Sequence, residues 1–297
     1  MTATDDRRGN AVPHDASPLA IICGGGSLPF AVADAARRDG RPVMLFALRG
    51  SADPQRVDDY PHHWVGPGQA GRFLRLARQH GIRDVVMIGT VTRPALSQVR
   101  LDWRALLLLP RLIKLFRGGD DHLLSGMAQL FEDHGFRLIG AHEIAPEILL
   151  PQGRIGSCEP SAGDQADIRH GLALLQATGA FDIGQAVVVA QGRVLAIEAA
   201  EGTDEMLARL AELRTKGRVR FPAGTGVLVK APKPRQDRRV DLPSIGPRTI
   251  EGAAAAGLVG IAVVAGSAIV AEPERLAMAC ERHRLFVVGV AAADGSA

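Results

Sequence analysis

The residues best suited to chemistry lie in one charged, proline-containing run that spans residues 230–246. Its cations are Lys230, Lys233, Arg235, Arg238 and Arg239, and its polar ligands are Gln236, Asp237 and Asp241. Pyrophosphate cleavage requires such a mixture, because cations neutralise the non-bridging oxygens while a carboxylate holds a metal ion or orients water. We assign catalysis to Lys233, Asp237 and Asp241, and substrate binding to Lys230, Gln236 and Arg239. An exposed basic loop is the alternative interpretation.

A second set of acids follows the strand predicted over residues 193–198. Glu198 ends this strand, and Glu201 and Asp204 follow around the glycine turn that opens the next predicted helix. Carboxylate oxygens suit Mg²⁺, which completes its shell with water and phosphate. We predict that Glu198, Glu201, Asp204 and Asp241 hold Mg²⁺, or Mn²⁺ or Co²⁺ in its place. Thr203 is predicted to cap the helix and to contact the substrate, with a polar loop and an ordinary cap as the alternative.

A glycine turn near the start of the chain is the third candidate. Gly24, Gly25, Gly26 and Ser27 stand between an apolar run and a helix-like segment. Backbone N–H groups in such a turn approach a phosphate closely, and the helix dipole favours its negative charge. The turn lacks the spacing of dinucleotide-binding and Walker loops. It therefore predicts a phosphate contact, with a tight turn that binds nothing as the alternative.

Further polar residues stand beside glycines or after a predicted strand. They are Thr90, Arg93, Asp120, Asp121, His142 and Glu143. Arg93 follows the strand predicted over residues 84–89, and ligands of open α/β sheets bind beyond such strand ends. The motifs that contain Asp120, Asp121 and His142 lack the ligand spacing of a zinc site. We predict substrate contacts for these six residues, and capped structural turns remain the alternative.

The elements that must position these residues follow an alternating pattern. Apolar runs at 19–23, 42–47 and 84–89 alternate with helix-like segments at 30–39 and 70–80. This βαβ rhythm predicts a Rossmann-like domain with a parallel sheet over residues 18–148, preceded by a disordered tail, residues 1–17. Breakers at 146–156 mark a boundary. Residues 149–297 are predicted to form a second, mixed α/β domain that carries the catalytic residues.

Composition limits the partners. The formal net charge is only +3 and aromatic residues make up 4%, whereas nucleic-acid binding needs a concentrated positive face and usually aromatic stacking. We expect no nucleic-acid partner.

The three cysteines form no Cys-x-x-Cys pair, and the first 17 residues contain no apolar targeting segment. Both features indicate the cytoplasm.

One leucine-rich segment, residues 101–117, is compatible with a membrane surface. It is too short and too charged to span a bilayer, which requires about 20 mainly apolar residues. Its tryptophan, leucines and cations suit an interfacial helix. A buried helix broken at Pro110 fits the same residues.

Taken in order, seven motifs closely resemble the LpxI-type UDP-2,3-diacylglucosamine pyrophosphatases, which are lipid A pathway enzymes of Gram-negative bacteria. The motifs span residues 24–29, 89–94, 119–121, 140–143, 182–185, 201–204 and 233–246. The resemblance covers about residues 19 to 290. The joint order of the seven motifs is far more specific for this family than any one motif.

The resemblance implies hydrolysis of UDP-2,3-diacylglucosamine to UMP and 2,3-diacylglucosamine 1-phosphate, called lipid X, with a divalent ion. By the same analogy water attacks the β-phosphorus, and the family's essential aspartate falls on Asp241. The motif at 182–185 adds Gln185 to the substrate contacts. A homodimer is expected, and residues 106–116 become an acyl-chain or membrane-docking surface that holds the enzyme weakly at the inner leaflet of the inner membrane.

Two other classes of function stay open on the residues alone. A non-catalytic nucleotide or sugar-phosphate binding module would use the charged run only to grip its ligand. A phosphoryl or nucleotidyl transferase would use the same metal, phosphate cradle and arginines with an acceptor other than water.

Overall fold

The computed structural model describes residues 17–66, 68–91, 120–181, 183–233 and 237–292. The chain divides into two compact units. Of these described residues, those between 17 and 91 and between 126 and 144 belong to the first unit, and those between 120 and 125 and between 145 and 292 belong to the second. The domain boundary expected after residue 148 stays a prediction.

The first unit contains a five-stranded, wholly parallel sheet in the order β3-β2-β1-β4-β5. Its strands are β1 (Leu19–Cys23), β2 (Val43–Leu48), β3 (His62–Val65), β4 (Asp84–Ile88) and β5 (Arg137–Leu138). Its helices are α1 (Leu28–Arg38), α2 (Pro54–Val57), α3 (Ala70–Gln79), α4 (Asp120–Asp133), whose first residues belong to the second unit, and α5 (Ala141–Ile144). This sheet confirms the predicted Rossmann-like parallel fold, although β3 was missed by the sequence pattern.

Strand β1 is central because it is apolar along its whole length, as expected of a strand covered on both faces. Chain order reverses beside it, since β2 and β3 extend to one side and β4 and β5 to the other. Cys23 is in register with Ala47 and Ile88, so three strands end at one level. Such a reversal point is where open α/β sheets bind ligands.

The second unit contains a six-stranded mixed sheet in the order β6-β13-β11-β9-β7-β8 and a two-stranded sheet of β10 and β12. The strands are β6 (Gly153–Ile155), β7 (Ala186–Ala190), β8 (Arg193–Ile197), β9 (Val227–Lys230), β10 (Ser244–Ile245), β11 (Gly260–Val264), β12 (Ile269–Val270) and β13 (Phe286–Val290). Strands β9, β11 and β13 are parallel, whereas β6, β7 and β8 run antiparallel to their neighbours. The predicted mixed α/β class is confirmed.

Helices of the second unit are α6 (Ala162–Thr178), α7 (Gly202–Thr215), α8 (Pro247–Ala255) and α9 (Pro273–His283), with short 3-10 turns at Pro146–Ile148 and Gly179–Phe181. Helix α6 packs closely on β7 and β9, and a Cβ added at Gly171 would lie 2.7 Å from Val229 Cγ2. Residues of α7, α8 and α9 share a second apolar cluster with the sheet. The sheet is therefore buried on both faces, which leaves its edges for polar groups.

Strand β8 confirms the strand predicted over residues 193–198, and its antiparallel pairing with β7 forms a hairpin that turns at Gln191 and Gly192. The carboxylate of Asp167 accepts hydrogen bonds from the N–H groups of Gln191 and Gly192 at 2.8 and 2.6 Å.

Among the described helices, none has both the length and the apolar character required to cross a membrane.

Candidate functional site

The glycine turn after β1 meets the end of β4. Gly25 and Thr90 exchange backbone hydrogen bonds of 2.8 and 3.0 Å. A Cβ at Gly24 would lie 2.7 Å from the carbonyl carbon of Gly89, and one at Gly25 would lie 2.9 Å from the carbonyl oxygen of Ser51. Because these contacts involve backbone, a side chain at either position would separate the two strand ends. Packing within the protein thus explains two of the three glycines.

Gly26 differs from its two neighbours. Its φ of +90° is readily adopted only by glycine, and a Cβ built there meets nothing within 4 Å. Ser27 follows as the residue preceding α1, where helical N–H groups point outward. The N–H groups of Gly24 and Gly25 donate to Ile88 and Thr90, so the part of the turn that can receive a phosphate is Gly26, Ser27 and the start of α1.

His142 and Glu143 lie beyond β5, at the same edge of the parallel sheet as the glycine turn. The Glu143 carboxylate accepts a hydrogen bond of 2.7 Å from the N–H of Gly140. A Cβ at Gly140 would lie 2.4 Å from the His142 ring. Glycine is therefore required here by the fold of the turn itself, while the substrate contacts of His142 and Glu143 stay predictions.

A partly buried hydrogen-bonded network surrounds the end of β9 in the second unit's sheet. Lys230 ends β9, Glu198 follows β8, and Thr203 lies in the first turn of α7. The Lys230 ammonium donates to the Thr203 hydroxyl at 2.8 Å, and this hydroxyl donates to Glu198 Oε1 at 3.1 Å. The sheet brings them together because β8 ends beside the start of β7, and Ala186 of β7 is in register with Lys230.

Glu198 also holds the start of β7. Its Oε2 accepts a hydrogen bond of 3.0 Å from the N–H of Gln185. A Cβ at Gly184 would lie 2.4 Å from Glu198 Cγ, so glycine at this position lets the carboxylate reach its partner. Sequence reasoning included Gln185 but missed Gly184, although it stands within the same motif.

Burial sets the electrostatics of Lys230. Its exposed fraction is 6%, and desolvation lowers the pKa of its ammonium group, while the charges of Glu198 and Asp204 act against that shift. The ammonium also lies 3.4 Å from the Ser244 carbonyl oxygen, which is three residues beyond Asp241. Lys230 was predicted to bind substrate, and the structure places it inside the protein, where it joins two loops.

The segment that carries Asp241 is organised by Asp237. The Asp237 carboxylate accepts hydrogen bonds from the backbone and the guanidinium of Arg239, including one of 2.8 Å from Nη2. These hydrogen bonds lower the pKa of Asp237. The carbonyl of Asp237 then accepts a bond of 3.0 Å from the N–H of Asp241. Asp237 and Arg239 thereby form a compact turn that presents Asp241.

The other acids proposed for the metal are engaged with arginines. Glu201 lies 2.8 Å from Arg209, and Asp204 lies 3.0 Å from Arg248. Within the described ranges, no three His, Cys, Asp or Glu side chains form a group that could hold a metal ion. The structure thus gathers Glu198, Thr203 and Lys230 but does not assemble the four predicted acids into a ready ligand set. Neither arginine was foreseen, since both come from helical positions with no motif.

Thr203 does not cap its helix as expected. Glu201 occupies the N-cap position, and the Thr203 hydroxyl is directed to Glu198 instead.

Four predictions fall outside the described atoms. Arg93 and Gln236 lie in undescribed segments, and the side chains of Asp120 and Asp121 are not described although α4 begins at Asp120. Lys233 lies just before the undescribed residues 234–236, and residues 101–117 are likewise outside the described ranges.

A parallel sheet with a glycine turn at its reversal point, followed along the chain by a mixed sheet with a hydrogen-bonded network around the buried Lys230, defines a two-unit α/β protein. The family model described as "LpxI N-terminal domain" matches residues 18–148, and "LpxI C-terminal domain" matches residues 151–288. The chain is also 44% identical over 272 residues to the UDP-2,3-diacylglucosamine pyrophosphatase LpxI of Caulobacter vibrioides, covering 92% of this chain and 97% of that protein. The chain belongs to the LpxI family, which confirms the resemblance carried by the seven motifs.

Proposed function

We propose that this protein hydrolyses the pyrophosphate bond of UDP-2,3-diacylglucosamine, releasing UMP and 2,3-diacylglucosamine 1-phosphate in lipid A biosynthesis. The observation that carries the proposal is the 44% identity to a pyrophosphatase named for that substrate, sustained along nearly the full length of both chains. The turn at Gly26 and Ser27 supports it with a place for a phosphate. The buried network and the turn from Asp237 to Asp241 support it with cations and a carboxylate.

Asp241 is the proposed essential residue. Its neighbours hold the backbone on both sides, since Asp237 fixes the preceding turn and the Pro243 carbonyl accepts a hydrogen bond of 2.8 Å from Ile269. A carboxylate positioned this way can orient water or bind a divalent ion without reorganising the loop. Water then forms a bond to the β-phosphorus while the bond from that phosphorus to the bridging oxygen breaks, and UMP departs with the bridging oxygen.

We further propose that Mg²⁺, or Mn²⁺ or Co²⁺ in its place, supports the reaction. Magnesium commonly uses one or two protein carboxylates and takes its other ligands from water and substrate phosphates. A ready cluster of four acids is therefore not required, and Asp241 is the proposed protein ligand. Binding of Mn²⁺ measured by electron paramagnetic resonance should weaken in Asp241→Asn and stay unchanged in Asp164→Asn, whose carboxylate caps α6 elsewhere.

The decisive assay measures UMP release from UDP-2,3-diacylglucosamine in water with and without a chelator. We expect turnover by the unmodified protein, its loss on chelation, and a loss of at least about 10²-fold in Asp241→Asn that still folds. Turnover by that variant at the normal rate would contradict the role of Asp241. Reaction in ¹⁸O-labelled water should place the label in the diacylglucosamine phosphate, whereas label in UMP would mean attack at the α-phosphorus.

The same assay separates the two alternative functions. A binding module would bind the substrate and release no UMP. A transferase would release UMP only when an acceptor other than water is present. Hydrolysis in buffer alone excludes both.

Contact with a membrane surface and homodimer formation are proposed from the resemblance. Replacing Leu108, Leu112 and Leu115 by Ser should lower turnover of vesicle-bound substrate more than turnover of detergent-dispersed substrate. Equal turnover in both conditions would remove the membrane role of this segment.

Light scattering of the purified protein should give twice the chain mass of 31.4 kDa, as expected of a homodimer.

A further inference from the structure

Two histidines of the first unit bring their ring nitrogens together outside the residues assigned to the reaction. His63 lies on β3, the strand at the edge of the sheet, and His80 ends α3 as its C-cap residue. The Nε2 atoms of the two rings are 2.9 Å apart. Since a hydrogen bond between neutral imidazoles uses one N–H and one lone pair, the second proton must be absent from this position.

The surroundings hold the His63 ring in place. The ring packs against Phe46 with a centroid distance of 5.9 Å, and Phe46 in turn packs edge-on against Phe73 of α3. The neighbouring His62 is directed elsewhere, with its Nδ1 atom 2.9 Å from the Tyr60 carbonyl oxygen. One ring is therefore fixed by packing, while His80 is exposed at a helix end and free to adjust.

We propose that His63 and His80 form a two-histidine binding site for a transition-metal ion, with Zn²⁺ as the reference ion and water as the remaining ligands. Neutral imidazole nitrogens are preferred ligands of Zn²⁺, Cu²⁺ and Ni²⁺. Two nitrogens bound to Zn²⁺ at 2.0–2.1 Å with a tetrahedral angle stand roughly 3.3 Å apart. The observed pair therefore needs to open by only about 0.4 Å, which a small rotation of the exposed His80 ring supplies.

Charge around the pair both helps and limits binding. Partial burial lowers the pKa of the His63 ring, which favours the neutral form that can coordinate a metal ion, and the charge of Arg72 acts in the same direction. The same Arg72 repels an incoming cation. The site should thus bind one transition-metal ion reversibly, and the ion would link the edge strand β3 to the end of α3.

The site is independent of the proposed hydrolysis and distinct in its chemistry. Mg²⁺ prefers oxygen ligands and does not compete for imidazole pairs. Titration calorimetry with Zn²⁺ in excess Mg²⁺ therefore isolates it from a magnesium-dependent centre. Imidazole ¹⁵N resonances identify the ligands, because coordination shifts only the nitrogens that bind.

We expect a Zn²⁺ binding event that weakens roughly tenfold or more in both His63→Gln and His80→Gln. The matched control His170→Gln changes an exposed histidine of the second unit and should bind Zn²⁺ as the unmodified protein does. In the unmodified protein, Zn²⁺ should shift the Nε2 resonances of His63 and His80 together. Equal Zn²⁺ affinity in all three variants, or unshifted resonances, would leave only a hydrogen bond between the rings and overturn the proposal. UMP release in Mg²⁺ should be unchanged in every variant.

Discussion

Each unit holds a charged cluster around a buried residue at one end of its strands, Asp84 in the first unit and Lys230 in the second, but the two clusters lie at opposite strand ends. In the first unit, Asp84 begins β4 and is bound by Arg41 and by Arg137, whose Nε and Nη2 atoms lie 2.8 and 2.9 Å from its two oxygens. In the second unit, Lys230 ends β9 and contacts Thr203. Ligands of α/β sheets gather beyond the carboxyl ends of parallel strands. The Asp84 cluster should therefore support stability, and the Lys230 cluster should support catalysis.

The environments of the two groups match this distinction. Burial would raise the pKa of Asp84, but hydrogen bonds from Arg137 and Arg41 outweigh burial and lower it. For Lys230 the balance is the opposite. Desolvation lowers the pKa of its ammonium group, and the negative charges of Glu198 and Asp204 do not outweigh this effect. Asp84 is thus stabilised in its charged form by its own partners. Lys230 is held in a position that favours its charged form less.

The largest expected effect comes from Asp84→Asn. This change leaves the buried Arg41 guanidinium without its counter-charge, and breaking a buried ion pair costs about 3–5 kcal/mol. Urea unfolding followed by tryptophan fluorescence reports on the first unit through Trp64 of β3. The exposed Asp59→Asn is the control. A variant of normal stability with reduced turnover would reverse the roles given to the two clusters.

The next largest effect should come from Lys230→Met, which nearly preserves side-chain volume and removes the ammonium group. We expect kcat to fall roughly 10- to 100-fold, as when an outer partner of a catalytic group is lost, while KM and stability change little. Steady-state kinetics of UMP release measures this split. Lys216→Met, at the exposed lysine that follows α7 as its C-cap residue, should behave as the unmodified protein. Loss of folding with normal kcat in the folded fraction would make Lys230 purely structural.

A smaller effect should follow Thr203→Val, which removes the hydroxyl between Lys230 and Glu198 without changing shape. A buried polar group left without its partner costs about 1–3 kcal/mol. Stability of the second unit and kcat should both decline, and Thr203→Ser should restore both because serine keeps the hydroxyl. Equal behaviour of the Val and Ser variants would show that the hydroxyl does not link the two charges.

The smallest effect concerns pH and again separates the clusters. Because the folded-state pKa of Asp84 is below its unfolded value of about 3.9, its stabilisation is fully present above that value. It is lost as the pH falls toward the lower folded-state pKa. Unfolding measured between pH 6 and pH 3 should therefore show a steeper loss of stability in the unmodified protein than in Asp84→Asn. Parallel curves would mean that the pKa of Asp84 is the same in the folded and unfolded states.

Sequence patterns predicted the parallel sheet of the first unit, and the strand over residues 193–198 and the mixed α/β class of the second. They missed β3, β6, β10 and β12, which are four residues or fewer and carry little periodic signal. They also grouped Glu198, Glu201 and Asp204 as metal ligands. The structure directs the last two toward Arg209 and Arg248, which no local pattern could indicate because arginines on helices usually face solvent.

The sequence by itself determined the α/β class, the glycine turn, the charged run around Asp241 and, through the joint order of its motifs, membership in the LpxI family. Only the tertiary structure decided which charges meet: Asp84 with Arg41 and Arg137, Lys230 with Thr203, and His63 with His80. Turn chemistry and side-chain periodicity act over a few residues and can be read locally. Contacts across 17 to 53 residues depend on strand order and register, which the packing of the whole unit sets.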